Sequence, residues 1–147
     1  MKLKTILDQA SPVTIDDLDR VANDIGPLPQ AVVEYFLESN GGIPPKRRLI
    51  GPNRERIEIQ HLLSIVNTRS ENEHTCEQMH KILTNNWGVP SSYLPIARDP
   101  GGNFFCLNRE TGKVVLVYND EEEEIGISDN FETFLGKLTK STTNHIP

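Results

Sequence analysis

Cysteine is scarce in this chain. Cys76 and Cys106 are the only two in 147 residues, too few for a disulfide framework, and no CxxC pair is present to open a zinc site. Long hydrophobic runs are missing as well: no apolar stretch approaches the ~20 residues that span a bilayer. The opening "MKLKTILDQASP" has two lysines but only scattered apolar residues, so it lacks the apolar segment of a secretory signal. Together these absences predict a cytosolic protein whose thiols stay reduced. A basic surplus is also lacking. Fifteen Lys and Arg stand against twenty-one Asp and Glu, a net charge of −6, and a chain this acidic is poorly suited to neutralising nucleic-acid phosphates.

The charge is unevenly placed. Between Ile43 and Gln60, Lys46, Arg47, Arg48, Arg54 and Arg56 face only Glu55 and Glu58, an excess of three positive charges that leaves −9 on the remainder. Such an acidic remainder suits a basic partner or plain solubility. At this length the chain can bury roughly 70% of its unfolded surface around one core. A single domain over 1–147 is expected, with its core at about 14–140 and a frayed tail at 141–147.

The first helix is expected from Thr14, a natural N-cap followed by Asp16 and Asp17 on the positive end of the helix dipole. Ile15, Leu18, Val21, Ala22 and Ile25 make its apolar stripe, and Gly26 stops it. "PLPQAVVEYFLESNGG" continues as a second helix with Pro29 in its first turn and "NGG" at its end, so the two should form a helical hairpin over a common core. "IPPKRRLIGPNRER" reads as an exposed loop or poor edge strand, and "IEIQHLL", 57–63, as one strand. Ser70 and Glu73 have capping-box spacing, with Cys76, Met79, Ile82 and Leu83 following at helical spacing to about Asn85. Trp87 then anchors the core. "YLPIA", "NFFCLN" and "KVVLVYND" are expected strands, the last two joined by "RETG" and buried on both faces. "DNFETFLGKL" closes the chain as a helix with Asp129 and Glu132 as its box. The fold class that follows is α+β, with an N-terminal helical hairpin, a mostly antiparallel sheet of short strands, a middle helix and a C-terminal helix.

Few patterns carry chemistry. In "HTCEQMH", Cys76 and His80 share a helix face, but His74 points elsewhere, and His61 and His145 have no spacing that completes a metal set; a surface histidine pair beside a core thiol explains them. Cys106 lies between Phe105 and Leu107 in a buried strand, where a thiol acts as a small hydrophobe and not a nucleophile. "DPGGN" precedes a strand, not a helix, so it is a turn in which Gly101 and Gly102 supply positive φ, and not a phosphate loop. "NDEEEEIG" is a solvated loop of repelling charges, or an acidic lure that speeds association with a basic partner.

The ordered set "VTIDDLDRVANDIGPLPQAVVEYFLESNGG", "LPIARDPGGNFFCLN", "GKVVLVYND" and "DNFETFLGKL" resembles the SUKH superfamily, also called the Smi/Knr family, from Thr14 to Leu138. The resemblance implies a non-enzymatic α+β domain without cofactor or metal. Many bacterial members look like immunity proteins that neutralise polymorphic or contact-dependent toxins, often nucleases, by direct binding. Fungal relatives are regulatory scaffolds of cell-wall synthesis, so a general regulatory interaction module is the alternative, and a thiol- or metal-dependent enzyme a distant third. A cognate toxin domain with a basic, phosphate-holding surface would be met by acidic residues. Asp16, Asp17, Asp19, Asp120, Glu121, Glu122, Glu123 and Glu124 are therefore the candidate partner contacts, with no nucleic acid, membrane or small-molecule substrate expected.

Overall fold

A computed structural model describes residues 6–119 and 123–139. The order of elements is α1 (Ile15–Ile25), α2 (Gln30–Glu38), β1 (Arg48–Ile50), β2 (Arg56–Glu58), β3 (His61–Leu62), α3 (Cys76–Asn86), β4 (Tyr93–Arg98), β5 (Phe104–Asn108), β6 (Val114–Val117), β7 (Glu124–Ser128) and α4 (Phe131–Thr139). Strands β3 to β7 form an antiparallel meander in sequence order, and β1 and β2 form a separate two-stranded hairpin. The fold is α+β, with helices leading and a helix closing the chain.

Strands β5 and β6 are buried along their apolar residues, as their lack of alternation requires of a sheet covered on both faces. Successive strand residues point to opposite faces, and the aromatic contacts show what covers each. The Phe105 ring meets Phe134 of α4 at 5.7 Å, and the Phe104 ring meets Trp87, just beyond α3, edge-on at 5.9 Å. Cys106, between them and Val115 across the β5–β6 ladder, is fully buried and free.

Helix α1 begins as its residues dictate. The Thr14 hydroxyl accepts from the Asp17 N–H and the Asp17 carboxylate accepts from the Thr14 N–H, a reciprocal box that satisfies two otherwise orphan donors. Leu18, Val21 and Ile25 are buried, but Ile15 is 53% exposed, so the core-facing stripe is narrower than the spacing predicts. Helices α1 and α2 follow one another and bury Leu18, Val21, Ile25, Val32, Tyr35 and Phe36 in one core, with α1 packed on α3 and α2 on α4. Pro29 is the N-cap of α2, not a residue of its first turn.

Other boundaries move for local reasons. The expected strand 57–63 is two strands in two sheets, since Ile59 N–H bonds Arg47 O while Gln60 N–H bonds Arg98 O. The box of α3 is Thr75 with Gln78, not Ser70 with Glu73, because Arg69 holds the Glu73 carboxylate through Nε at 3.1 Å and through NH2. At α4 the cap is Asn130, whose Oδ1 accepts from the Thr133 N–H at 2.7 Å; this leaves Glu132 at the second helical position, where it cannot close a box with Asp129. Of the β4–β5 glycines only Gly102 has positive φ, 86°. The acidic run is not wholly loop, since Glu124 opens β7 opposite Val117.

Two polar residues bind loops to this frame. Asn40, 1% exposed, ends α2 and reaches across to Ser11 and Ile65. Beside it a Cβ at Gly42 (φ 116°) would collide with the Leu7 carbonyl oxygen, so the close crossing of two backbones requires glycine. Arg109, in the expected "RETG" turn, donates to Pro27 O at 3.1 Å and Ser91 O at 2.6 Å. It joins the α1–α2 link to the segment after α3.

Candidate partner-binding surface

The candidate acids fall at separate places. Asp16 and Asp19 are exposed on α1. Asp17 is half-buried and occupied: the Thr14 backbone N–H, followed by Arg20, holds its carboxyl below the usual aspartate range. Asp120, Glu121 and Glu122 lie outside the described residues. Glu123 and Glu124 border a cavity of about 510 Å³ whose other walls include Trp87, Val89, Tyr93 and Tyr118. There the Tyr93 hydroxyl donates to Glu124 Oε1 at 2.7 Å. Partial burial first, then the neighbouring Glu124 carboxylate, push the Tyr93 phenol up to about 12. The α1 acids do not line the cavity that Glu123 and Glu124 border.

A more organised acidic feature, not foreseen from composition, lies between α2 and α4. Ala31, Tyr35, Leu37, Phe131 and Leu135 line a groove of about 330 Å³. Leu37 is 43% exposed. Glu34, Glu38 and Glu132 stand on its rim, and among the described residues lining it there is no lysine or arginine. The i, i+4 spacing of Glu34 and Glu38 on either side of Leu37 is a signal the sequence contains. Its meaning depends on α4 arriving alongside, where Phe131 meets Tyr35 at 5.6 Å.

The metal pattern does not assemble. His74 is exposed, whereas His80 is buried with Nε2 2.9 Å from Ser91 O, so the expected surface histidine pair is corrected to one surface and one core histidine. Cys76 is buried, and desolvation raises its thiol well above the usual range, as it does that of Cys106. Among the described residues no three His, Cys, Asp or Glu side chains converge to hold a metal, and no helix is long and apolar enough to cross a membrane.

His61 is the site residue that spacing alone undervalued. It is 4% exposed in β3, opposite Arg98 in the ladder, with Nε2 3.9 Å from Glu73 Oε2 and no hydrogen-bond partner at Nδ1. Burial first, then Arg69 and Arg98, push its imidazole below the usual histidine range against the opposing pull of Glu73. It borders a cavity of about 870 Å³, together with Arg47, Arg69, Arg98 and the Gly101–Gly102 turn.

A two-faced antiparallel meander with flanking helices and an apolar groove between α2 and α4 defines a domain of α+β class. The SMI1 / KNR4 family (SUKH-1) matches residues 12–137, and the chain belongs to that family. Its members are in general non-enzymatic. Neither the curated proteins nor the solved structures contain a significant match.

Proposed function

We propose that this protein is an immunity protein: it neutralises a cognate polymorphic or contact-dependent toxin domain by direct binding in the cytosol. The observation that carries the reading is the apolar groove between α2 and α4 with Glu34, Glu38 and Glu132 on its rim, in a chain of the SMI1 / KNR4 family. An apolar side chain of the toxin fills the groove, and basic residues around it meet the glutamates. Interface cores of this kind supply affinity, while the charged rim supplies rate and selectivity. A nuclease active site suits the geometry because it is basic in order to hold phosphates. Asp16, Asp19 and the run 120–124 add to the long-range field that draws such a partner in.

The test is co-expression of this chain with the toxin domain encoded by a neighbouring gene. Rescue of growth together with co-purification of the pair is the expected result. Persistent growth arrest with both proteins expressed and soluble overturns the reading. Replacing Glu34, Glu38 and Glu132 together by Gln should slow association about tenfold at low salt and flatten its salt dependence. Asp24→Asn, which removes the ion pair between Asp24 of α1 and Lys81 of α3 away from the groove, should leave the rate nearly unchanged.

A further inference from the structure

The excess of basic residues between Ile43 and Gln60 has no part in an acidic docking surface, and one of them, Arg47, leads to a cavity of about 870 Å³. That cavity lies between the β3 edge, the segment before α3 and the β4–β5 turn. Its lining carries Arg47, Arg69 and Arg98 against Glu73 alone, with the imidazoles of His61 and His74 beside them. The Glu73 charge is already matched by the two-point contact from Arg69. Arg98 differs. Its guanidinium donates to the neutral Gln60 amide oxygen, and no carboxylate among the described residues lies within ion-pair distance of it. On its other side stands Gly102, where even an added Cβ would meet nothing but the Arg98 NH2, at 3.6 Å. A half-buried cation beside a glycine turn whose one carboxylate, Asp99, is taken up by the Asn103 N–H and Nδ2 is an anion subsite in its chemistry.

His61 is the second, independent observation. A buried imidazole normally has its ring nitrogens hydrogen-bonded. Here Nδ1 has no partner and Nε2 is 3.9 Å from Glu73, beyond hydrogen-bond reach. The cavity floor is apolar, with Leu63, Met79, Ile82 and Phe104, and its volume of about 870 Å³ is within the range of small-molecule pockets.

We infer that this cleft binds a small organic anion, a phosphate- or carboxylate-bearing molecule whose charged group is held by Arg98 and Arg47 beside His61 and whose apolar part rests on Met79, Ile82 and Phe104. The inference is independent of toxin binding, since the α2–α4 groove shares no residue with the cleft. The anion also gives His61 a reason to be there. The guanidiniums of Arg69 and Arg98 oppose an imidazolium and Glu73 favours one; Arg47 and exposed His74 complete the titratable and charged lining. An anion placed among them offsets the arginines, so binding takes up a proton at His61 and strengthens as pH falls.

Calorimetric titration of the full chain with phenyl phosphate, benzoate and inorganic phosphate tests this. Saturable binding is expected for phenyl phosphate or benzoate, with the stronger of the two assigning the anionic group, and weaker binding for inorganic phosphate, which cannot use the apolar floor. Arg98→Gln should weaken the better ligand about tenfold, whereas Arg56→Gln, on the exposed β2 strand outside the cleft, should not. In an NMR titration the His61 imidazole should titrate at higher pH with ligand than without. Absence of saturable binding by either aromatic probe, equal losses in the two arginine variants, or an unmoved His61 titration overturns the inference. Because Arg98→Gln keeps the β4 backbone pairing, an unchanged melting temperature shows that lost binding is not lost folding.

Discussion

Asn40 and Ile65 exchange a reciprocal pair of hydrogen bonds: Asn40 Nδ2 donates to Ile65 O at 2.9 Å, and the Ile65 N–H donates to Asn40 Oδ1 at 2.8 Å. The same Nδ2 donates to Ser11 O at 2.8 Å. One side chain thus satisfies backbone groups of two other segments in a dry place. Each buried backbone group left unpaired costs about 1–3 kcal/mol, so Asn40→Ala should lower stability by about 2–4 kcal/mol. Urea unfolding measures the loss; an unchanged midpoint would show the network to be energetically idle.

The Phe105–Phe134 contact is what holds α4 on the sheet, and both rings are fully buried. Phe134→Ala removes a large core side chain, an expected cost of about 3–5 kcal/mol, and Phe134→Leu should cost distinctly less. Thermal melts of the two variants decide whether volume at this position sets the stability.

His61 predicts an acid-side loss of stability. Its folded-state pKa is lowered from 6.5, so the unfolded chain binds the proton more readily. The stabilisation is therefore present above pH 6.5 and declines as the pH falls through the lower folded value. Urea midpoints compared between about pH 7 and about pH 5 should fall in the native chain and fall less in His61→Gln. A saturating organic anion in the cleft should flatten the native curve too.

Both thiols are fully buried and raised in pKa by desolvation. Since the thiolate is the reactive form, Cys76 and Cys106 should be inert to Ellman's reagent in the native protein and react stoichiometrically in denaturant. Rapid modification without unfolding would contradict the packing of β5 and α3.

The elements legible in the sequence were those specified by local chemistry. Thr14 as N-cap with Asp16 and Asp17 behind it marks a helix start, Gly26 its stop, and the unbroken apolar runs of β5 and β6 a sheet covered twice. Cys106 was readable as a packing residue for the same reason. Less legible were features with two adequate local solutions. Ser70–Glu73 and Thr75–Gln78 both have capping-box spacing, and the choice went to the pair whose acceptor was not taken by Arg69.

What the sequence alone determined, then, is the inventory: an acidic α+β chain, the start and stop of its first helix, its buried strand pair and the pattern that places it in its family. Only the tertiary structure decided which charges act together. Glu34, Glu38 and Glu132 share a rim because α4 lies along α2, and His61 meets Arg98 because an antiparallel ladder sets them opposite each other. Those approaches depend on contacts far apart in the chain, whose free energy comes from packing and burial and leaves no short-range periodicity to read.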